Sequence, residues 1–287
     1  MTERLRDGDE DAWLELRGMG PRLAEALPLL RELSAGSDDD ARRRAIEVLE
    51  TLRAEAAPAL PELERALHEG VTPVRAAAAD TLASIGAPAL RVLRSALASD
   101  NAEVRRFACR GLGSIGATAA GAVPDLMKIL VDRGDDEEVR LRAIWALGEI
   151  GTDQAVATMA EVFIAEGEVL GLWIAEALTK MGRPARKAAD ALRTVLHKDD
   201  SELSLAAAGT LIELRQHEEQ AVWTLIRWLQ EGDVETATEA ALLLGDAGVC
   251  ALSAIPALRH AEKSEDDDLR TYAKLAIAKI RPEYARM

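Results

Sequence analysis

Along residues 135–151, DDEEVRLRAIWALGEIG, acidic residues open the stretch and apolar residues follow at Val139, Ala143, Leu147 and Ile150. Their steps of 4, 4 and 3 place them on one face of an α-helix, and Gly151 supplies the stop. The same pattern recurs along the chain. Aligned on Val139-Arg140, the equivalents are Ala41-Arg42, Val74-Arg75, Val104-Arg105, Leu170-Gly171, Leu203-Ser204, Thr236-Ala237 and Leu269-Arg270. The second residues fall at 42, 75, 105, 140, 171, 204, 237 and 270, so the steps are 33, 30, 35, 31, 33, 33 and 33. A period of this size along the whole chain predicts a stacked repeat array. Four positions after the first residue stands a small or apolar residue, and eight positions after it Leu or Ile, from Leu49 to Ile277. Glycine follows several copies, at Gly86, Gly116, Gly151, Gly182 and Gly248, where its left-handed conformation ends a helix at low cost.

A second helical run separates these copies, as in residues 56–70, 121–134 and 251–263. Pro61, Pro124 and Pro256 each come eight residues after a helix stop (Arg53, Gly116, Gly248), as Pro28 does after Gly20. Proline is accepted in a helix's first turn, where its missing N–H has no partner to lose. Each repeat is therefore predicted to be a helical hairpin, helix A followed by the patterned helix B. Residues 9–19 read as a lone capping helix. Hairpins are expected at about 21–53, 54–86, 87–116, 117–151, 152–182, 183–215, 216–248 and 249–281, forming one domain over 1–287, with Arg281-Pro282 as the final stop.

An A helix with an early proline, an acidic turn, Val-Arg-x-x-Ala and Leu-Gly-x-Ile-Gly resembles a HEAT repeat, in particular the short bacterial HEAT-like type also found in phycobilin lyases. The resemblance covers residues 9–281 and implies an all-α, right-handed α-solenoid (a superhelix). It also implies a ladder between neighbouring repeats, in which an Asp before helix B meets the Arg at its second position. Asp38, Asp100, Asp136 and Asp267 with Arg42, Arg105, Arg140 and Arg270 match that ladder, whereas Gly171, Ser204 and Ala237 depart from it.

HEAT-like arrays place their B helices on the concave side. The core face of helix B holds motif positions 0, 4, 8 and 11, and positions 3, 6 and 10 point away from it. Reading that stripe gives a candidate partner-binding groove of Phe107, Arg110, Arg142, Trp145, Glu149, Trp173, Glu176 and Lys180. Aromatics mixed with Arg at positions expected to be exposed have the composition of an interface hot spot. The competing reading packs the rings between adjacent B helices. The acidic A–B turns (37–40, 99–101, 132–138, 198–202, 231–235 and 265–268) read as N-caps, or alternatively as a ridge for a basic partner.

Composition narrows the function classes. The 287 residues are 48% hydrophobic and only 3% aromatic, which suits close-packed helices and not a β-sandwich. A net charge of −15 opposes nucleic acid and anionic membranes overall, and no run of 18 apolar residues suggests a bilayer span. The two cysteines, Cys109 and Cys250, lie in different repeats, and the start of the chain is unlike a secretory signal. A cytoplasmic bacterial protein, monomeric by itself, is the expectation. Two His-Glu pairs, His68-Glu69 and His217-Glu218, resemble the motifs of HEAT-like deoxyhypusine hydroxylases. Together with His197 and His260, however, these histidines fall in separate repeats with no common face, so no metal and no cofactor is expected. Catalytic residues are likewise not expected: the sequence has no phosphate loop, Cys/His cluster or nucleophile elbow. The sequence reads as a non-enzymatic scaffold for a protein or peptide partner. Two alternatives are a chromophore-handling protein like the phycobilin lyases and nucleic-acid binding through a cluster of Arg105, Arg106, Arg110, Arg133, Arg140 and Arg142.

Overall fold

The computed structural model describes residues 2–6, 9–166, 168–197, 201–216 and 219–281. Pro282, the acidic turn residues 198–200 and the pair His217-Glu218 lie outside the described residues. The chain divides into two compact units, Met1–Thr152 and Asp153–Met287, each taken by itself here.

The first unit opens with α1 (Thr2–Arg6) and α2 (Glu10–Arg17). Four hairpins follow: α3 (Leu27–Ser34) with α4 (Asp39–Leu52), α5 (Leu60–Glu69) with α6 (Thr72–Ile85), α7 (Leu90–Ala96) with α8 (Ala102–Ile115), and α9 (Val123–Val131) with α10 (Glu137–Ile150). The second unit holds α11 (Asp153–Ala165) with α12 (Glu168–Met181), α13 (Ala189–Arg193) with α14 (Glu202–Glu213), α15 (Glu219–Glu231) with α16 (Val234–Ala247), and α17 (Ile255–Ala261) with α18 (Asp267–Ile280). No strand occurs among the described residues. The array is an α-solenoid of A–B hairpins. Within each unit every B helix packs on its own A helix and on the B helix of the next hairpin. The eighth-position leucines from Leu49 to Leu244 are fully buried, each contributing roughly 2 kcal/mol by removal from water.

The local signals act as their chemistry dictates. Asp38, Asn101, Asp136, Asp233 and Asp266 cap the B helices, each side chain accepting a hydrogen bond from a first-turn backbone N–H. The acidic turns thus begin as helix caps. Pro28, Pro61, Pro124 and Pro256 stand in the first turn of α3, α5, α9 and α17. A short 3-10 segment precedes six of the A helices, for example Gly116–Ala122 and Gly248–Ala254. Two stretches, Ala102–Val131 and Val234–Ala261, are long and apolar enough on paper to cross a bilayer. Neither is one straight rod, because Gly116 (φ 68°) and Gly248 (φ 58°) break each between its B and A helices. The stop preceding α5 is not glycine. Arg53 holds φ 51° and ψ −129°, the backbone conformation that Gly86 takes at φ 78° and ψ −134°.

The ladder differs in its partners from the expected one. Arg75 donates to the His68 carbonyl at 3.2 Å in its own hairpin and pairs with Glu103 of the next. Arg105 likewise donates to the Ser99 carbonyl at 2.7 Å and grips Asp135 of the next hairpin, with Nε 3.1 Å from Oδ2. Arg140 is buried and donates to the Leu130 carbonyl at 3.0 Å. Arg270 donates to the Ser264 carbonyl at 2.7 Å. The second-position arginine therefore ties the end of its own A helix and, at Arg75 and Arg105, reaches forward. The acids that link one hairpin to the next, Glu103 and Asp135, are not the aspartates expected from sequence. Asp38 and Asp136 are occupied as caps, and Asn101, next to Asp100, caps α8. Asp267 pairs with Arg270 one turn along the same helix, as Asp39 does with Arg42 at 2.9 Å. Capping turns the Asp136 carboxylate toward its own helix, and the neighbouring Asp135 takes Arg105.

In the second unit the arginine is replaced by Gly171, Ser204 and Ala237. A Cβ on Gly171 would lie 2.7 Å from the Leu203 side chain, so a larger residue there would require Leu203 to move. Ser204 is buried and its hydroxyl accepts from the Trp228 indole at 2.9 Å. A separate tie recurs in both units. Thr81 and Thr210 each stand seven positions into a B helix; Thr81 donates to the Ile46 carbonyl of the preceding B helix at 3.0 Å, and the Thr210 hydroxyl, 2.9 Å from the Ala206 carbonyl of its own helix, also lies 3.3 Å from the Ala175 carbonyl of the preceding one.

Arg53→Gly relieves a backbone conformation that four glycines hold elsewhere. It should raise unfolding free energy in urea by about 1 kcal/mol; no gain would mean that Arg53 sits there without strain. Trp228→Phe leaves the buried Ser204 hydroxyl without its indole donor and should cost roughly 1–3 kcal/mol. Adding Ser204→Ala to that variant should recover most of the loss in the same titration.

Candidate functional site

The outward stripe of helix B was drawn from positions 3, 6 and 10. At 100° per residue, position 3 lies roughly 95° from the centre of the core face, against roughly 155° for position 6. Position 3 therefore flanks the neighbouring B helix, where coverage depends on the local packing. Phe107, at position 3 of α8, is buried at 6% exposure, with the Arg106 guanidinium 5.2 Å from its ring centre. The expectation that Phe107 is exposed in a groove is corrected accordingly: its ring belongs to the packing.

In the first unit Arg110, Arg142, Trp145 and Glu149 are half-buried on the outer side of α8 and α10. The Arg142 guanidinium lies 5.9 Å from the Trp145 ring centre, a cation–π contact that uses the planar face of each group. The Trp145 ring also rests on Gly113 of α8, where an added Cβ would collide with it. Trp145 thus combines both readings of the stripe, one side packed on a neighbouring helix and the other facing outward. Gly113 is a seat that sequence reasoning passed over. Its signal was the first glycine of Leu-Gly-x-Ile-Gly, which recurs at Gly148 and at Gly245, whose Cβ would come 3.0 Å from the Ala276 backbone.

Charges on this face are mutually satisfied. Arg110 pairs with Asp80 of the preceding B helix at 2.7 Å. Burial pushes the Asp80 carboxyl up, against the pull of Arg110. Glu50 is also raised, first by burial and then by the charges of Asp80 and Glu47. The arginine cluster considered for nucleic acid is largely engaged with carboxylates and carbonyls: Arg105 with Asp135, Arg106 with Glu138 at 2.7 Å, Arg110 with Asp80, and Arg140 with the Leu130 carbonyl.

In the second unit Trp173, Glu176 and Lys180 are exposed on α12. Trp173 keeps 39% of its surface in water. Two further apolar side chains share the stripe and were not singled out from sequence: Leu242 on α16 and Leu275 on α18, at 40% and 51% exposure. Both occupy position 6, and α16 packs on α18. The signal was available, since both are leucines at the position farthest from the core face.

No group of three or more His, Cys, Asp or Glu residues is gathered to hold a metal ion among the described residues. His68 and His260 sit in the last turns of α5 and α17, and His197 falls in the turn after α13. Cys109 is buried, and desolvation pushes its thiol up to about 12, far from thiolate chemistry. Cys250 is exposed.

Comparison with known proteins agrees with this architecture. A family model for HEAT repeats matches residues 25–106 and 90–178, together 25–178, or 154 of 287 residues. No curated protein is similar in sequence. Among known structures, a chain of the AP-3 complex, a homology model in an intermediate open conformation, superposes with a TM-score of 0.70 at 13% identity. It covers 97% of this chain and 55% of its own. The karyopherin Kap121p bound to the SUMO protease Ulp1p gives 0.63 at 14% identity, covering 96% of this chain and 35% of its own. Kap121p bound to Pho4p gives 0.60 at 14%, covering 91% and 34%. The chain spans about half of the AP-3 chain and about a third of Kap121p. At such low identity these likenesses speak for the fold alone. With stacked A–B hairpins, a repeating second-position arginine and a family model covering more than half of its length, this chain belongs to the HEAT-repeat family.

Proposed function

We propose that this protein is a non-enzymatic scaffold that binds a protein or peptide segment on the outer face of its B helices. The observation that carries the reading is the exposed apolar row of Trp173, Leu242 and Leu275 on B helices of the second unit. Leaving such side chains in water on a rigid helical face costs free energy that a partner would recover. In the first unit the half-exposed Trp145, with Arg142 against its ring, adds an aromatic anchor of the kind that dominates interfaces. Glu176 and Lys180 beside Trp173, and Glu149 beside Trp145, supply polar rim groups. Structures of the same fold hold protein partners: Kap121p is bound to Pho4p in one and to Ulp1p in another. The family is used chiefly for such interactions.

The test separates binding from folding. A photo-crosslinking residue placed at Leu242 or Leu275 should capture one defined partner in cells of the source organism. The same residue at Arg259, exposed on helix A of the last hairpin, should not. Trp173→Ala combined with Leu242→Ala should abolish the adduct at Leu275 while leaving the chain folded, with its helical circular dichroism unchanged. Equal adducts from both faces, or an undiminished adduct in the double variant, would overturn the assignment. Trp145→Ala is expected to cost more stability, because its ring covers Gly113.

A further inference from the structure

The second-position arginine fills a defined place in four hairpins. In each it lies between the end of its own A helix and the turn of the A–B loop, donating to the carbonyls of His68, Ser99, Leu130 or Ser264. Arg75 and Arg105 extend from there to an acid of the next hairpin. Of the three hairpins without that arginine, two are closed by the chain itself. The Leu203 side chain lies against Gly171, and the Trp228 indole donates to Ser204. The third has Ala237, which lines a cavity of about 580 Å³.

The cavity lies between the A–B turn of this hairpin and the A helix and A–B loop of the next. Gln230 and Gly232 come from the end of the thirteen-residue α15, and Asp233 follows it. Lys263 and Ser264 come from the A–B loop of the next hairpin. Leu229, Ala237 and Leu269 supply an apolar floor. A helix C-terminus carries partial negative charge on its last carbonyls, and Asp233 adds a full one. Hydrogen bonds from Thr236 hold the Asp233 carboxyl below the usual range, so it remains ionised near neutrality. An apolar floor leading to carbonyls and a carboxylate matches the methylene stem and forked donors of arginine better than a lysine ammonium. The overall charge of −15 favours approach of a basic segment. His260 and Lys263, both exposed on the rim, oppose it and keep the site weak on its own.

We propose that the cavity at Ala237 takes an arginine side chain presented by a partner peptide, completing in trans the contact that the chain's own arginine makes in other repeats. This site lies at the A–B turns and does not depend on the B-face reading.

The probe is N-acetyl-arginine amide, with the lysine amide and the neutral citrulline amide as controls, titrated into the full chain at low salt and followed by amide NMR. The arginine compound should give saturable shifts at Gly232, Ala237 and Ser264, and the citrulline compound should give none. Ala237→Arg should fold with at least the wild-type melting temperature and reduce the shifts at least about tenfold, by filling the place in cis. Asp233→Asn, which keeps a good N-cap, should weaken binding several-fold without changing the fold. Lys263→Gln should strengthen it. Absence of saturable shifts, binding of citrulline equal to arginine, or undiminished binding in both Ala237→Arg and Asp233→Asn would overturn the proposal. A B-face partner adduct that persists in Ala237→Arg would show the two sites to be separate; its loss there would tie them to one partner and leave the cavity assignment to the NMR result.

Discussion

A helical hairpin of about thirty residues cannot bury its apolar face alone, so within each unit the hairpins depend on contacts between neighbouring B helices. The contact between consecutive B helices is therefore the interaction on which the rest rests. It is made by fully buried leucines and by small residues that let backbones approach, such as Gly113 under Trp145 and Gly245 against Ala276. Apolar packing sets the distance but leaves the register loose. Directional groups fix it: the Thr81 and Thr210 hydroxyls on carbonyls of the preceding B helix, and the arginines that join a carbonyl of one hairpin to an acid of the next. Because Arg105 and Asp135 are largely shielded from water, each would be costly to leave without the other.

The second unit reaches the same stacking with other groups. Gly171 lies against the Leu203 side chain, Ser204 is held by an indole from the A helix of the next hairpin, and Ala237 lines a cavity. The same unit carries the exposed row of Trp173, Leu242 and Leu275. The part of the chain that departs from the regular ladder thus also carries these exposed apolar side chains and the cavity at Ala237.

The hairpins were legible in the sequence because periodicity, N-caps, first-turn prolines and glycine stops agree with one another at each repeat. The exposure of the stripe was only partly legible. A helical wheel treats positions 3 and 6 alike as outward and does not say how far a neighbouring helix covers each: at position 3 Phe107 is buried while Trp173 is exposed, and Trp145 at position 6 is half-buried. Arg110 and Arg142 were read as groove cations, and the structure engages the first with Asp80 and the second with Trp145. The ladder acids were misplaced by one to three residues because capping and ion pairing compete for adjacent carboxylates. Sequence spacing does not say that Asp136 caps α10 while Asp135 takes Arg105.

The measurement closest to the centre of this account is a double-mutant cycle on Arg105 and Asp135, with each changed to Ala singly and together and unfolding followed in urea. A coupling free energy of about 1–3 kcal/mol is the result this structure requires of a shielded pair that joins two hairpins. A coupling within about 0.3 kcal/mol of zero would mean that the packed leucines alone hold the register, and that the arginine does not link one repeat to the next.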